Sequence, residues 1–397
     1  MRLGWCFGTV LLLFPTAALP QADPGVDQKK VDEAIARGVQ FLKPADIPAI
    51  EARPDLFSDE LVLWTFIHAG VPSDDARFQA LWKKVVSRPL ERTYDVALLA
   101  MILEEVDRVR YQKRILHCAQ FLLDNQCQNG QWDYGIPTIA VPSDYPAKDL
   151  DLVPPKVAPV PGKGKRVKPK VVKRLGVLKT REGPATGCQS NAQFAALGLR
   201  ACADAGILIP KEAIALARRS WIETQHGEKD RPGMGWCYGS PSHGCDGPKH
   251  PPSSAMTAGG VGSLVIYDFL LGIDGTKDSA IKEGIAWLDQ AFSFRESSAT
   301  RITCPLRRRN AQFQVFYSIY ALERAGRLAR LEKLGSRVWY PEGVRSLLET
   351  QNENGSWGPC DYSNPVLDTC FAILFLGRAT RPMNDVASED KFINPGK

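Results

Sequence analysis

One short segment, residues 237–250, contains several cysteine and histidine side chains that could bind a metal ion. The segment contains Cys237, His243, Cys245, Asp246 and His250, which are all residue types that ligate zinc. Their spacing is not that of a zinc site, and the prolines and glycines between them are typical of an irregular loop. The sequence therefore favours either a loop without a ligand or a disulfide, for which Cys237 and Cys245 are the most local pair. His243, Cys245 and His250 are weak metal candidates, and no cofactor is predicted.

A few acidic and imidazole side chains lie in apolar segments where they could transfer protons. They are His68, Asp95 and Asp368. General acid–base catalysis needs such groups to converge within hydrogen-bond reach of one another or of a substrate. Asp95 stands at a predicted helix start, where Asp usually caps the helix. Each of the three is better interpreted as a cap or surface group, so no catalytic residue is assigned.

A helix-end pattern that recurs along the chain indicates which elements would position these residues. In this pattern an apolar stretch ends in Gln, and a short polar turn that closes with Gly-x-Trp follows. Two copies match the pattern fully, and a third copy departs from it. An amide at a helix end can satisfy backbone groups, and the Trp can cover the junction between hairpins. Recurrence of this unit predicts stacked helical hairpins. The positions in the pattern are Gln126, Gly130, Trp132, Gln225, Gly235, Trp236, Gln351, Gly355 and Trp357.

A second, more apolar kind of helix alternates with the helices that carry the pattern. Several of these segments are followed by Gly, as a helix C-terminus prefers. Six amphipathic outer helices and six apolar inner ones are enough to close a ring. The predicted inner helices are residues 59–69, 94–104, 192–205, 256–271, 315–325 and 367–378.

The Gln and Gly-x-Trp turns resemble the QW repeats of the terpenoid cyclase and protein prenyltransferase superfamily, especially its squalene cyclase-like members. The resemblance implies an all-α fold, an (α/α)6 toroid of six helical hairpins over residues 27–380. It also implies a central cavity lined by inner-helix side chains, which could hold an apolar chain or pack as core. The candidate lining residues are Trp64, Phe66, Phe194, Tyr267, Phe316, Tyr320, Asp368 and Phe371.

The catalytic motifs of that superfamily are incomplete in this chain. Cyclases of the hopene type protonate an alkene with an Asp of Asp-x-Asp-Asp-Thr, and here Leu367 falls at the donor position, before Asp368-Thr369. Prenyltransferases hold zinc with Asp-x-Cys and His, and here Gln314, Phe316 and Asp368 fall at those positions. Leu cannot supply a proton, and Phe cannot ligate zinc. Gly187-Cys188-Gln189-Ser190-Asn191 likewise departs from the Gly-Cys-Gly-Glu-Gln of thioester proteins.

Because the chain resembles this superfamily but its catalytic motifs are incomplete, we predict a non-catalytic protein that acts as a binding or scaffold protein. One alternative is an enzyme of the same fold, either terpenoid cyclase-like or a lyase or hydrolase acting on polysaccharide. The other alternative is a carrier of isoprenoids or other lipids, which requires a deep aromatic cavity.

Residues 1–22 have the layout of a secretory signal peptide, with Arg2, an apolar run and small residues up to Ala22. This predicts a secreted or periplasmic protein with no stable membrane span after cleavage. Nine of the ten cysteines follow residue 22, an odd number, and one or two disulfides are expected among those in loops. The loop cysteines are Cys127, Cys188, Cys237, Cys245, Cys304 and Cys360.

Most of the net charge of +6 comes from one insertion, residues 141–183, which holds eleven Lys or Arg and four Asp or Glu. The insertion is rich in proline and is predicted to be disordered. Because the rest of the chain is not basic, nucleic-acid binding is not expected. The insertion could instead bind an anionic polymer or surface. Residues 381–397 are predicted to form a C-terminal tail.

Overall fold

The structure is a computed structural model, and it describes residues 25–44, 59–138, 168–229, 231–238, 250–295, 313–358 and 364–383. These residues are mainly helical, which confirms the predicted all-α class for this part of the chain. The helices are α1 (Gln28–Leu42), α2 (Asp59–His68), α3 (Ala76–Ser87), α4 (Thr93–Asp107), α5 (Gln112–Asp124), α6 (Gln189–Asp204), α7 (Lys211–Thr224), α8 (Ser254–Leu271), α9 (Ser279–Ala291), α10 (Phe313–Leu328), α11 (Trp339–Thr350) and α12 (Pro365–Leu376).

Side-chain caps set several helix starts. The Asp75 carboxylate accepts hydrogen bonds from the backbone N–H groups of Arg77 and Phe78 at the start of α3. Asp278 does the same for α9, and Asn364 for α12, which has Pro365 in its first turn. Helix α8 ends at Gly272, whose φ of 70° places it in the left-handed region that glycine tolerates best. These are the helix-boundary residues that sequence rules anticipate.

The even-numbered helices pack against one another in a closed cycle. Helix α2 contacts α4, and the contacts continue through α6, α8, α10 and α12 before returning to α2. These helices are buried nearly all round, as their apolar sequences require. The odd-numbered helices bury one face and lie outside, for example α5 against α4 and α6, and α1 against α11 and α12.

Helix α8 is long and apolar enough to cross a membrane, with 18 residues of mean hydropathy 1.4. However, 83% of it is buried within the protein, where it packs between α6 and α10 with α7 and α9 outside. Its apolarity is that of a core helix.

The prediction of disorder for residues 141–183 is wrong for its second part. Residues 168–183 form an extended segment, here called the strap, which follows the surface of α5 and α6. In the strap, β1 (Leu175–Gly176) pairs in parallel with β2 (Ile207–Leu208), which follows α6. Asp124, at the end of α5, accepts hydrogen bonds from Thr180 N at 2.7 Å and Thr180 Oγ1 at 2.9 Å. The amino-acid composition of the strap does not reveal these anchors, because the partners lie on helices that are distant in the sequence. The rest of the insertion predicted to be disordered, residues 141–167, lies outside the described residues.

The predicted tail also begins later than residue 381. Arg200 donates hydrogen bonds to the carbonyl oxygens of Arg381 and Pro382, and Met383 is buried. The packed part of the chain therefore extends at least to Met383. The signal-peptide residues 1–22 lie outside the described part of the chain.

Candidate functional site

The three Trp residues of the recurring turns make the same hydrogen bond. Each indole Nε1 donates to a backbone carbonyl near the end of the preceding outer helix: Trp132 to Leu122 O at 2.7 Å, Trp236 to Trp221 O at 2.6 Å and Trp357 to Leu347 O at 2.9 Å. All three side chains are fully buried. Each Trp thus fixes its turn against its own helix.

The three Gln residues of the turns reach the next outer helix around the ring. The amide Nε2 of Gln126 donates to Ala213 O of α7, and that of Gln225 donates to Ala280 O of α9, both at 2.8 Å. Gln351, which follows α11, donates to Ala34 O of α1 at 2.9 Å. This last bond joins the end of α11, the last outer helix described, to α1, the first.

In the turn after α7, Gly233 rather than the predicted Gly235 takes the place that Gly130 and Gly355 have in the other two turns. Gly130, Gly233 and Gly355 all have φ between 79° and 87°. A Cβ on any of the three would lie 2.4–2.5 Å from a backbone atom of the next outer helix. Gly235 instead lies against Thr257 of α8. An insertion in the turn moved the equivalent glycine away from the Gly-x-Trp spacing, so the pattern missed it.

Aromatic side chains from five inner helices form one cluster within the cycle of inner helices. Phe194 lies 4.8 Å from Tyr94 and 6.5 Å from Tyr317, measured between ring centroids. Phe371 lies 5.5 Å from Tyr317 and 5.6 Å from Tyr320. Trp64 Nε1 completes the cluster by donating to Tyr320 Oη at 3.3 Å. We call these six residues the aromatic centre.

A buried polar bridge crosses the aromatic centre. Gln193 Nε2 donates to Tyr317 Oη at 2.7 Å, while Arg324 Nη2 donates to Gln193 Oε1 at 2.5 Å. The Arg324 guanidinium also lies 4.4 Å from the Tyr320 ring and 5.0 Å from the Phe194 ring. Gly259 of α8 makes room for the bridge, since a Cβ there would lie 2.6 Å from Gln193 Oε1. All six inner helices therefore meet in a packed centre.

The predicted cavity residues divide between this centre and other surroundings. Trp64, Phe194, Tyr320 and Phe371 belong to the aromatic centre. Tyr267 is fully buried near Trp221 of the outer helix α7 instead, and its hydroxyl makes no hydrogen bond to a described residue. Phe66, Phe316 and Asp368 are buried, and Asp368 lies one turn before Phe371 on α12. Of the eight predicted residues, Trp64 also lines the charged cavity described next.

A charged cavity of about 210 Å³ lies where α2, α4 and α6 end. Its acidic lining residues are Glu104, Glu105 and Asp204, and its basic ones are Arg108, Lys168, Arg200 and Arg381. The strap contributes Lys168, and the segment after α12 contributes Ala379, Thr380 and Arg381. Five distant parts of the sequence therefore build this site.

Lys168 holds the two glutamates together. Its Nζ is hydrogen-bonded to Glu104 Oε2 and lies 2.9 Å from Glu105 Oε2. Glu105 Oε1 accepts a second charged hydrogen bond from Arg381 Nη2 at 2.6 Å. Glu104 Oε1 accepts no hydrogen bond from a described residue, and Arg108 Nη1 lies 3.7 Å from it.

The surroundings shift the pKa values of the two glutamates in opposite directions. Burial raises the pKa of Glu104, and Lys168 only partly opposes this. Burial would also raise the pKa of Glu105, but the charges of Lys168, His68 and Arg381 lower it to about 2. Burial lowers the pKa of His68 to about 4, so its imidazole is neutral at pH 7.

The acid–base residues predicted from sequence do not form one site. His68 is near Glu105 and stacks edge-on against Trp64, with ring centroids 4.1 Å apart. Asp95 lies at the opposite end of α4, 4.0 Å from Arg88 Nη1. The sequence analysis missed Glu104 and Glu105. Adjacent acidic residues on an apolar helix were the available signal, because such a pair rarely lies buried without partners.

The predicted metal and disulfide residues are only partly described. Cys237 is buried, His243 and Cys245 lie outside the described residues, and the His250 carbonyl oxygen is 2.9 Å from His226 Nε2. No group of three potential metal ligands occurs within the described ranges. Cys127 and Cys188, expected to be oxidisable loop residues, are buried free thiols. Cys304 and Cys360, the other expected loop cysteines, lie outside the described residues.

No model of a known protein family matches the chain, and no curated protein matches it. Among solved structures, the chain is similar to the type II terpene cyclase MstE from Scytonema in its apo form, with a TM-score of 0.29 and 10% sequence identity. That match covers 89% of this chain and 99% of the other. Likeness at this level assigns neither a family nor a function to this chain.

Proposed function

We propose that the chain is an (α/α)6 toroid of the squalene cyclase-like kind, made of six helical hairpins with Gln–Trp repeat turns. The closed cycle of contacts among the inner helices supports this assignment. The three Gln residues that each bond to the next outer helix support it independently. The link from Gln351 to α1 carries most weight, since it joins hairpins at opposite ends of the sequence.

We further propose that this ring is a binding or scaffold protein without cyclase or prenyltransferase activity. The observation that carries the proposal is the packed aromatic centre, crossed by the bridge from Arg324 through Gln193 to Tyr317. Both known chemistries of the superfamily need room there for a long isoprenoid. Residue identity supports the same conclusion, since Leu367 stands at the proton-donor position and Phe316 at a zinc-ligand position.

Incubation of the purified protein with squalene and with farnesyl diphosphate tests this proposal. We expect no product by gas chromatography–mass spectrometry and no retained apolar mass in native mass spectrometry. Phe371→Ala is the positive control for binding, because removing a buried ring leaves an apolar cavity that small hydrocarbons can enter. A cyclised product would contradict the non-catalytic role. A retained isoprenoid would favour the lipid-carrier alternative.

One observation favours an enzyme as the second candidate function. Glu104 and Glu105 share Lys168, and their pKa values are shifted apart, which is the arrangement that separates a general acid from a carboxylate that remains charged. Glu104 would be the acid in a hydrolase or lyase acting on sugars. If so, a polysaccharide screen would give products that disappear with Glu104→Gln. An unchanged polysaccharide profile with the wild-type protein would leave the binding role.

We also propose that the protein acts outside the cytoplasm, on the basis of residues 1–22, and that the insertion contacts an anionic polymer. The strap leaves Lys170 and Lys173 exposed for such contacts. Lys168 and Arg181 are instead hydrogen-bonded within the protein. Binding to heparin–agarose that weakens as salt increases would support this contact, because charge pairing is screened by salt. Cell fractionation with an antibody tests the location.

A further inference from the structure

The size of the charged cavity limits what it can hold. Its volume is about 210 Å³. At about 30 Å³ per water molecule, that volume corresponds to roughly seven waters. Sites for drug-sized ligands start at about 300 Å³. The cavity therefore fits a small polar molecule and is too small to enclose an isoprenoid.

The cavity contains an acceptor that no described residue uses. Glu104 is 6% exposed, and its Oε1 accepts no hydrogen bond. Leaving a buried acceptor unsatisfied costs about 1–3 kcal/mol, and more when it is charged. A ligand hydroxyl that donates to Glu104 Oε1 would remove this cost.

A donor lies next to this acceptor on the following turn of α4. Arg108 donates from Nε to Pro169 O and from Nη1 to Asp204 O, which fixes the guanidinium at the edge of the cavity. Its Nη2 donates no hydrogen bond to a described residue, and its Nη1 lies 3.7 Å from Glu104 Oε1. A carboxylate with a hydroxyl on the adjacent carbon presents an acceptor and a donor side by side, which suits a guanidinium donor next to a carboxylate acceptor.

The charge of the lining selects the same kind of ligand. Three carboxylates face four cationic side chains, and the nearby His68 is neutral at pH 7. At least one positive charge is therefore left over, and two are left when Glu104, whose pKa is raised by burial, holds a proton. A monoanion offsets this excess charge, whereas a cationic ligand would add to it.

We propose that the charged cavity binds a small 2-hydroxycarboxylate, the class that includes sugar acids, with its carboxylate on Arg108 and its hydroxyl on Glu104. Lys168 keeps its place between the glutamates and makes the strap one wall of the site. This inference rests on the proposed binding role and names its ligand. It needs neither the aromatic centre nor the insertion before residue 168.

Isothermal titration calorimetry with matched probes tests the proposal on the whole protein. Gluconate should bind at least about tenfold more tightly than glucose, because a charged hydrogen bond is worth enough for that factor. Lactate should bind more tightly than propionate, which has the same carboxylate but no hydroxyl. Glucosamine should not compete. Equal affinity for gluconate and glucose, tighter binding of glucosamine, or no saturable heat with any probe would overturn it.

Variants identify the site as the source of the signal. Arg108→Met and Glu104→Gln should each weaken gluconate binding by about tenfold or more. Glu353→Gln, the same chemical change on an exposed residue in the last turn, should have no effect. If Glu104→Gln does not fold, Arg108→Met alone decides, since Arg108 is partly exposed. Gluconate affinity unchanged in a folded Arg108→Met protein would refute the site.

Recovering the gluconate afterwards separates this proposal from the broader one. Bound gluconate that is recovered unchanged supports both. Gluconate that binds and is converted would keep the ligand class but overturn the non-catalytic role. Absence of binding would remove the ligand class and leave the scaffold role standing.

Discussion

Single side chains bond the hairpins to one another at chemically equivalent points. A Gln amide crosses to the next outer helix, and the following Trp returns to its own helix. The Trp bond satisfies a carbonyl near the end of its own helix, where carbonyls lack intrahelical partners, while Gln351 reaches Ala34 O in the middle of α1. The stability of the ring should therefore depend on these few polar groups as well as on its apolar packing.

Replacing Gln351 with Ala should destabilise the protein by about 1–3 kcal/mol, because it removes hydrogen bonds to Ala34 O and Gly355 O. Urea unfolding followed by circular dichroism measures this. Gln290→Ala is the matched control, since Gln290 is exposed on α9. Equal unfolding midpoints for the two variants would show that the link contributes nothing.

Glu323 should make stability depend on pH. Burial raises its pKa to about 7, although Thr380 donates two hydrogen bonds to it. Because the folded protein holds this proton more tightly than the unfolded chain, the contribution is full below pH 4.5 and is lost as pH rises through 7. The slope is at most about 1.4 kcal/mol per pH unit.

Comparing wild type with Glu323→Gln isolates this effect from other titrating groups, including His68. Unfolding free energies measured between pH 4.5 and 7.5 should converge or cross as pH rises, because the variant has no proton to lose at this position. Parallel curves would mean that the Glu323 pKa is the same in both states.

Helices and the strap differ in how far sequence predicts them. The inner helix predicted over residues 256–271 is observed as Ser254–Leu271, because its apolar run and Gly272 define it locally. The strap was predicted to be disordered, because its anchors Asp124 and Glu104 are supplied by other elements. The charged cavity was missed for the same reason. It needs Glu104, Lys168 and Arg381, which only the closed ring brings together.

Asp124→Asn should loosen the strap. Burial would raise the Asp124 pKa, but hydrogen bonds from Thr138 and Thr180 outweigh it and lower the pKa, so the carboxylate is charged at neutral pH. Amide hydrogen exchange over residues 175–181 should become about tenfold faster, equivalent to losing about 1.4 kcal/mol of local stability. Glu182→Gln, an exposed change on the same strap, should leave exchange unaltered. Unchanged exchange in Asp124→Asn would show that β1 alone holds the strap.

The whole molecule is closed by a seam between its first and last hairpins. Helix α1 packs on α11 and α12, and Gly38 allows the close approach. A Cβ at Gly38 would lie 2.8 Å from Trp357 and 2.9 Å from Ile373. The seam is therefore packed as tightly as a helix backbone permits.

Gly38→Val should open this seam and destabilise the protein by about 1–3 kcal/mol through overpacking. Ala36→Val places the same side chain on the exposed face of α1, where only the lower helix propensity of Val applies. Thermal unfolding should give a clearly lower Tm for Gly38→Val than for Ala36→Val. Similar values for both would mean that the seam can relax at no cost.

The position of the seam has a consequence for how the chain is made. The apolar face of α1, with Val31, Ile35 and Leu42, is covered by partners that include α12. Because a ribosome adds about 5–20 residues per second, these side chains remain uncovered for tens of seconds before α12 is synthesised. During that time the first helix of the ring is an exposed hydrophobic segment on a partly folded chain. Among the helices of this protein, α1 would therefore be the first to which chaperones for exposed hydrophobic segments bind.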